Sequence, residues 1–304
     1  MNVGMIGLGR MGANMARRLV RGGAAVAAWN RNFEVAAELA RETGLTACAT
    51  LEELVEQLEP PRVVWTMLPA GEPSEQVLVH LAALLEIGDV VVDGANAFYR
   101  DSMRHAGLLA GQGIHFVDAG VSGGVWGLEN GYALMVGGDR EAVAHVEPFL
   151  KVLAPAPDKG WLHCGPAGSG HFVKMVHNGI EYGMMQAFAE GMALLKGKEE
   201  FALDLAAVAE SWRHGSVVRS WLLDLTAEFL KNDQQLGGIE PYVADSGEGR
   251  WTALEAIEQG LPAPVMSLAL MMRFASQGAN DYPAKLLAMM RKGFGGHALH
   301  GAKP

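Results

Sequence analysis

Residues 168–182 bring five chemically active side chains close together in the chain. They are an amine, an imidazole, an amide, a carboxyl group and a phenol: Lys174, His177, Asn178, Glu181 and Tyr182. On a helix that turns by about 100° per residue, with the lysine at zero, the other side chains fall between about −60° and about +80°. A potential base, a potential acid and further hydrogen-bonding groups therefore share one arc, as proton-transfer chemistry requires.

An ordinary amphipathic helix with a solvated polar face would also produce such a stripe. The stretch that follows, residues 184–193, is apolar nearly all round, which predicts a buried helix. Because buried polar groups need partners, a polar cluster on such a helix indicates a binding or catalytic site.

A glycine pattern near the N-terminus predicts where a ligand binds. The glycines lie between a predicted strand, Asn2–Gly7, and a predicted helix that runs to about Arg21. In that context they permit a tight turn, a close approach of the backbone to a pyrophosphate, and close packing of helix on strand. We therefore predict a dinucleotide site at the N-terminus of this helix. Its contacts are expected from one run: Gly7, Leu8, Gly9, Arg10, Met11 and Gly12.

The end of the second predicted strand, Ala24–Asn30, bears on the choice of dinucleotide. An acidic residue usually ends this strand and binds the ribose hydroxyls, but this chain has Asn30, Arg31 and Asn32 there. The missing carboxylate removes repulsion against a 2′-phosphate, and the Arg31 guanidinium is suited to bind that phosphate or to stack on adenine. We expect NADP, with NAD left open; the alternative for Arg31 is a solvated loop position.

Further apolar runs alternate with helical stretches and predict a parallel, doubly wound sheet. They are Val63–Met67, Asp89–Asp93 and His115–Asp118. Ligands of such sheets bind at the carboxyl ends of strands, so the loops that follow the strands are candidate contacts. These are Met67, Leu68 and Pro69 for the cofactor, Asn96 for nicotinamide or substrate, and Ser122, Gly123 and Gly124 for an anionic oxygen. Asn96 would equally serve as an Asx-turn cap, and Ser-Gly-Gly alone is unspecific.

The pattern changes after Cys164-Gly165-Pro166, because from Gly168 onward the sequence is helical with methionine-rich apolar faces. We predict an α/β fold with two domains: a Rossmann-type doubly wound sheet over residues 1–165 and an all-α domain over residues 166–304. Basic candidates in the second domain are Arg250, Arg273, Arg291 and His297. Each arginine alone is more often a surface residue, but Arg273 interrupts a predicted apolar helix, Val265–Phe274.

The composition limits the class of protein. The chain has 304 residues, enough for two domains, and a formal net charge of −10, which argues against general nucleic-acid binding. No uncharged apolar run reaches the length of a membrane span, so we expect no membrane partner. The distant cysteines Cys48 and Cys164 fit a reducing cytosol, hence a cytoplasmic protein. No histidine or aspartate has the spacing of metal ligands, and no metal is expected.

Together these segments resemble the 6-phosphogluconate dehydrogenase family in its short bacterial form, within the β-hydroxyacid dehydrogenase superfamily. The resemblance runs from Gly7 to His297. The motifs Gly7–Gly12 and Ser122–Gly124 are shared with the wider superfamily. The stretch Gly170–Tyr182, with its His-Asn-Gly-Ile-Glu-Tyr ending, is specific to this family.

The resemblance implies an activity and a role for each site residue. The activity is oxidative decarboxylation of 6-phospho-D-gluconate to D-ribulose 5-phosphate and CO2 in the pentose phosphate pathway, with hydride transfer to NADP or NAD. By resemblance, Lys174 is the general base and Glu181 the general acid. The implied substrate contacts are Ser122, Gly123 and Gly124 at the carboxylate, Asn96, His177 and Asn178 at the hydroxyls and the nicotinamide, and Tyr182, Arg250, Arg273, Arg291 and His297 at the phosphate. A homodimer or homotetramer is implied, with Arg291 donated by the neighbouring subunit.

The residues alone leave two other functions possible. One is a superfamily dehydrogenase that acts on a small 3-hydroxy acid without a phosphate; the arginines and Glu181 argue against it. The other is a dinucleotide-binding regulator without catalysis, which would leave the polar arc unexplained.

Overall fold

The computed structural model describes residues 1–278 and 281–295. The chain divides into two compact units, Met1–Val176 and His177–Pro304. The first holds the sheet and the second is helical, so the predicted fold, a Rossmann-type sheet followed by an all-α region, is confirmed.

The first unit is built on one sheet of eight strands. The strands are β1 (Asn2–Ile6), β2 (Ala25–Trp29), β3 (Thr46–Cys48), β4 (Val63–Thr66), β5 (Val90–Asp93), β6 (His115–Ser122), β7 (Ala133–Gly138) and β8 (Trp161–Gly165). Their order is β3-β2-β1-β4-β5-β6-β7-β8. The chain leaves β1 towards one edge and returns on its other side at β4, so a crevice opens beyond the carboxyl ends of β1 and β4.

The sheet is parallel as predicted except at β7, which pairs antiparallel with β6. The link between them, residues 123–132, is too short for the crossover that a parallel pair needs. β8 then pairs parallel with β7. The sequence pattern does not predict β3, β7 or β8. β3 has only three residues, and β7 and β8 each end in glycine, which weakens a strand pattern.

The central strands are buried on both faces, which explains their continuous apolar sequences. All four residues of β4, and all four of β5, are buried. Successive residues pack into different cores: Trp65 joins the cluster around Met15 and Leu19, and Val64 joins the cluster around Leu54 and Leu81. This alternation holds both layers of helices against the sheet.

The helices of the first unit cover these faces. They are α1 (Arg10–Arg21), α2 (Phe33–Thr43), α3 (Leu51–Glu56), α4 (Glu72–Leu84), α5 (Tyr99–Ala110), α6 (Gly127–Asn130) and α7 (Arg140–Leu153). Side chains cap some of them: the Asn32 oxygen accepts from the N–H of Glu34, and the Thr50 hydroxyl accepts from that of Glu53.

A long helix, α8 (Ser169–Gly197), begins in the first unit and continues into the second. The remaining helices are α9 (Leu205–Arg213), α10 (Trp221–Asn232), α11 (Glu248–Glu258), α12 (Pro264–Ser276) and α13 (Asp281–Gly295). A small core joins α9 to α10, and another joins Tyr182 to α12.

The prediction that α8 is buried after its polar stripe is wrong for the single chain. Tyr182 and Gly183 are buried, but Met184 is exposed and Leu194 is 78% exposed. Phe188, Met192 and Leu195 are only partly buried, against the core between α9 and α10. A helix with an all-round apolar sequence needs cover on every side. Throughout residues 1–278 and 281–295, no helix has both the length and the apolar character to cross a membrane.

Candidate functional site

The glycine loop after β1 adopts the conformation that its sequence predicts. Gly7 has φ +89°, and a Cβ there would lie 2.6 Å from the carbonyl oxygen of Met67. A Cβ on Gly12 would lie 2.0 Å from the carbonyl oxygen of Gly7, so only glycine lets α1 approach this loop. Gly9 faces open space, with no atom within 4 Å of its ideal Cβ among the described residues. The loop thus leaves room for a phosphate at the N-terminus of α1.

A groove of about 800 Å³ opens beside this loop, within the range of small-molecule sites. Most of the predicted cofactor contacts line it: Gly7, Gly9, Arg10, Met11, Gly12, Asn30, Arg31, Met67, Leu68 and Pro69. Leu8 is buried and does not line the groove, and neither does Asn96. The residues present therefore fit a dinucleotide along the ends of β1, β2 and β4.

The end of β2 is tied to the glycine loop by Asn30. Its side-chain oxygen accepts from the N–H of Leu8 at 3.0 Å, and its amide nitrogen donates to the carbonyl of Asn32 at 3.2 Å. Asn30 therefore shapes the loop from inside, which the sequence alone did not indicate. Arg31 is exposed at the groove, and no carboxylate in the described part of the chain pairs with it.

Lys174 is held against the sheet by the anchored start of α8. The Asp118 carboxylate, fully buried at β6, accepts from the N–H of Gly168 at 2.6 Å and from that of His171 at 2.7 Å. Asp118 thereby satisfies amide groups that the first turn of a helix leaves without intrahelical partners. Lys174 is 9% exposed, and a Cβ on Gly120 would lie 2.4 Å from its Cβ. The amine is thus carried on a stem that packs directly on β6.

The loops after β5 and β6 carry the other predicted contacts of the first unit. Asn96 is exposed, and the Asx turn at this loop is made by Asp93, whose Oδ1 accepts from the N–H of Ala95 at 3.0 Å. Ser122 ends β6 and is half-buried. Gly123 and Gly124 follow with φ of +135° and +53°, a backbone that glycine adopts without strain, and Gly124 is exposed.

In the second unit a hydrogen-bonded chain begins at His177. Its Nδ1 lies 3.0 Å from Oδ1 of Asn178, and Nδ2 of Asn178 donates to Oε1 of Glu248 at 3.2 Å. The Glu181 carboxylate lies farther off, 4.0 Å from Nδ1 of His177. The histidine and Glu181 are both partly exposed, whereas Glu248 is buried.

A second cluster gathers three of the residues predicted at a phosphate. The Arg273 guanidinium lies 3.4 Å from the ring centroid of Tyr182, in a cation–π contact. The Tyr182 hydroxyl lies 3.3 Å from Oγ of Ser246 and donates to Oδ1 of Asp245 at 3.5 Å. Arg250 forms an ion pair with the same Asp245. Only Arg250 pairs with this carboxylate, while Arg273 donates to the carbonyl of Ala244. With two arginines and one carboxylate, the cluster carries net positive charge, which suits an anion.

Asp245 organises this cluster. Burial alone would raise the pKa of its carboxyl group, but the Arg250 hydrogen bond and the N–H of Gly247 outweigh burial and lower the pKa below its usual value. The carboxylate therefore stays charged and holds Arg250 beside the Tyr182 hydroxyl.

Arg291 is not part of this cluster among the described residues. Arg291 is exposed on α13, and no hydrogen bond or ion pair within the described residues joins it to Tyr182, Arg250 or Arg273. His297 lies outside the described residues. Within residues 1–278 and 281–295, no group of three or more His, Cys, Asp or Glu residues is placed to hold a metal ion.

Sequence reasoning missed the residues that support the site rather than form it: Asp118, Gly120, Asp245 and Glu248. A glycine within a strand often marks a close approach, and this was the available signal for Gly120. The acidic residues gave none, because buried carboxyl groups are rare and their partners lie far away in the sequence.

The glycine loop, the topological switch between β1 and β4 and the groove define a dinucleotide-binding enzyme of the Rossmann type. The chain matches the NAD binding domain of 6-phosphogluconate dehydrogenase over residues 2–165 and the 6-phosphogluconate dehydrogenase C-terminal domain over residues 170–285. The protein belongs to the 6-phosphogluconate dehydrogenase family.

Individual relatives agree with this assignment. The chain is 40% identical over 300 residues to an NAD(+)-dependent, decarboxylating 6-phosphogluconate dehydrogenase of Haloferax volcanii, covering 98% of each chain. It is 36% identical over 286 residues to an NADP(+)-dependent, decarboxylating enzyme of Bacillus subtilis, covering 90% of this chain and 61% of that one. A solved Plasmodium falciparum 6-phosphogluconate dehydrogenase, studied with NADP+ and with 6-phosphogluconate, superposes with a TM-score of 0.85 at 30% identity, covering 100% of this chain and 67% of that one.

Proposed function

We propose that this protein converts 6-phospho-D-gluconate to D-ribulose 5-phosphate and CO2 with reduction of a nicotinamide dinucleotide. The observation that carries the proposal is the buried Lys174 on α8, followed on the same helix by Glu181. Seven residues are close to two helical turns, so the two groups lie on one face of α8. A base and a separate acid are what an oxidation followed by a decarboxylation needs.

The first step removes hydrogen from the hydroxyl-bearing carbon beta to the carboxylate. Lys174, as the neutral amine, accepts the hydroxyl proton. The bound dinucleotide supplies the acceptor for the hydride that leaves this carbon. The product is a β-keto acid.

Lys174 then serves the second step in its protonated form. It donates its proton to the ketone oxygen while the bond to the carboxylate breaks and CO2 leaves, which forms an enol. Glu181 protonates the enol carbon, and the enol proton returns to Lys174, so that ribulose 5-phosphate is released. Gly120 matters here because it lets the Lys174 stem pack on β6, at a defined place.

The two ends of the substrate are anionic, and the chain offers separate groups for them. We assign the carboxylate to Ser122, Gly123 and Gly124, of which Gly124 is exposed and the other two are partly exposed. The phosphate is assigned to Tyr182, Arg250 and Arg273, a cluster with net positive charge. Asn96, His177 and Asn178 are assigned to the hydroxyls and the nicotinamide.

The proposed cofactor preference is for NADP, with NAD also used. Arg31 supports it, because it lies at the groove without a pairing carboxylate in the described part of the chain and no acidic residue ends β2. A 2′-phosphate would meet a cation there, without the carboxylate that usually ends this strand.

The proposed assembly is a homodimer or homotetramer in the cytoplasm. Large apolar side chains are exposed on α12 and α13: Val265, Leu268, Met271, Met272, Leu286, Leu287, Met289 and Met290. Such faces are typical of surfaces that a second chain covers. A neighbouring copy would also explain why Arg291, proposed to act in trans with His297, stands apart from the Tyr182 cluster. In the same proposal, residues 1–165 bind the dinucleotide and residues 166–304 bind substrate and form the subunit contact.

The proposal is tested by mixing the enzyme with 6-phosphogluconate and either NADP or NAD. Reduced nicotinamide is followed by its near-ultraviolet absorbance, and released CO2 is trapped. Equal amounts of both products support the two-step reaction, and the higher kcat/KM identifies the preferred cofactor. Reduction without CO2 would instead indicate a plain hydroxyacid dehydrogenase. An NAD preference would contradict the role given to Arg31.

A further inference from the structure

Glu248 is a buried carboxyl group with no role in the reaction described above. It is 3% exposed and is the first residue of α11, after Gly247 in a left-handed conformation with φ +106°. One oxygen, Oε2, has no hydrogen-bond partner among the described residues. Burying a partly satisfied carboxyl group costs stability that an apolar side chain would not cost. A purely structural role therefore explains this residue poorly.

Close packing of α11 on α8 brings Glu248 to its partner. A Cβ on Gly179 of α8 would lie 2.6 Å from Cγ2 of Thr252, and a Cβ on Gly249 would lie 2.5 Å from the ring of Tyr182. Glycines at both positions let the two helices approach more closely than larger residues would allow. The consequence is that Oε1 of Glu248 reaches Nδ2 of Asn178 at 3.2 Å.

The chemistry of this contact determines the orientation of the next group. A carboxylate accepts hydrogen bonds and cannot donate them, so the Asn178 amide must turn its NH2 group towards Glu248. Its oxygen then faces Nδ1 of His177 at 3.0 Å. Because that oxygen can only accept, Nδ1 of His177 must carry a proton. In the neutral ring, Nε2 is then left as an acceptor.

We propose that Glu248 is a positioning residue that sets the Asn178 amide and, through it, the Nδ1–H tautomer of His177. His177 thereby offers Nε2 as an acceptor for a hydroxyl proton of a polyol substrate, while Asn178 keeps a fixed orientation beside it. This inference rests on the proposed function for the identity of the substrate. The tautomer itself depends only on contacts within the protein.

The test replaces the carboxylate by an amide of the same shape, in Glu248→Gln. A glutamine side chain can accept from or donate to Asn178, so both orientations of the Asn178 amide become possible and the His177 tautomer is no longer determined. The matched control is Glu258→Gln, the same change at an exposed position at the other end of α11.

The first readout is the long-range proton–nitrogen NMR correlation of the histidine rings in the ¹⁵N-labelled full chain without substrate. His177 is identified by the loss of its signals in His177→Gln, and spectra are recorded under conditions in which the imidazole ring is neutral. We expect the Nδ1–H pattern in the wild type and in Glu258→Gln, and an averaged or Nε2–H pattern in Glu248→Gln. An Nε2–H pattern in the wild type, or no change in a folded Glu248→Gln, would overturn the inference.

The second readout is steady-state kinetics with 6-phosphogluconate. Loss of an orienting hydrogen bond to a charged group should lower kcat/KM in Glu248→Gln on the order of 10–100-fold, and the control should stay within about twofold of the wild type. Binding of the dinucleotide to the isolated enzyme should not change. If the tautomer responds as expected but the wild type does not turn over 6-phosphogluconate, the proposed function fails and the positioning role stands. If the wild type turns over and a folded Glu248→Gln keeps the same kcat/KM, the proposed function stands and the positioning role is overturned.

Discussion

Replacing Gly120 by alanine should displace the proposed general base with the smallest possible change. The added Cβ would lie 2.4 Å from Cβ of Lys174 and 2.9 Å from its Cγ. Carbon atoms in contact sit about 3.5–4.0 Å apart, so the lysine stem or β6 must move by about 1 Å. The carbonyl oxygen of Gly170 at 3.1 Å limits movement in one direction.

This displacement sets the expected size of the effect. Overpacking of this kind costs about 1–3 kcal/mol of folding stability, and a 1 Å misplacement of a reacting group costs about 10²-fold in rate. We therefore expect Gly120→Ala to lower kcat for 6-phosphogluconate by about two orders of magnitude, with modest destabilisation and unchanged dinucleotide binding.

The control variant is Gly107→Ala, at an exposed position of α5. No atom of the described residues lies within 4 Å of the added Cβ there. The control should keep full activity and gain up to about 1 kcal/mol, because alanine favours a helix. Turnover, dinucleotide titration and denaturant unfolding are measured on both. If Gly120→Ala keeps the wild-type kcat while folding normally, the placement of Lys174 against β6 does not limit catalysis and our reasoning is refuted.

Three further predictions follow from the same contacts. Lys174→Met should reduce turnover by about 10²–10⁴-fold with dinucleotide binding nearly intact; substantial residual turnover in steady-state assays would reject the base assignment. Arg273→Ala should raise KM for a phosphorylated substrate far more than for the unphosphorylated acid, and equal effects would contradict its phosphate role. The Arg104 hydrogen bond, aided by His105 and opposed by burial, lowers the pKa of Glu75 to about 2. A lowered pKa stabilises the fold at pH values above the unperturbed 4.5, and this contribution is lost as pH falls to about 2. Unfolding free energies of the wild type and Glu75→Gln should therefore converge across that acid range, and a constant difference would show that the ion pair is not responsible.

Much of this fold follows from local patterns. At the N-terminus, a strand is followed by Gly-x-Gly-x-x-Gly and a helix, and this order specifies a conformation that larger residues cannot adopt. A Cβ on Gly12, for example, would clash with the carbonyl oxygen of Gly7. The continuous apolar runs of β4 and β5 indicate strands buried on both faces. The direction of β7 is harder to predict from the sequence. It depends on the length of the link from β6 and on the pairing of the two strands, not on the residues of β7 itself.

The sequence by itself determined which chemical groups are available and that Lys174 and Glu181 share a face of one helix, because helical periodicity is a local property. Only the tertiary structure decided what holds them. Asp118 meets the start of α8 across a long stretch of chain, Gly120 makes room for Lys174, and Glu248 meets Asn178 through the packing of α11 on α8. Such contacts depend on close approach and burial of charged groups, for which no periodic pattern in the sequence exists.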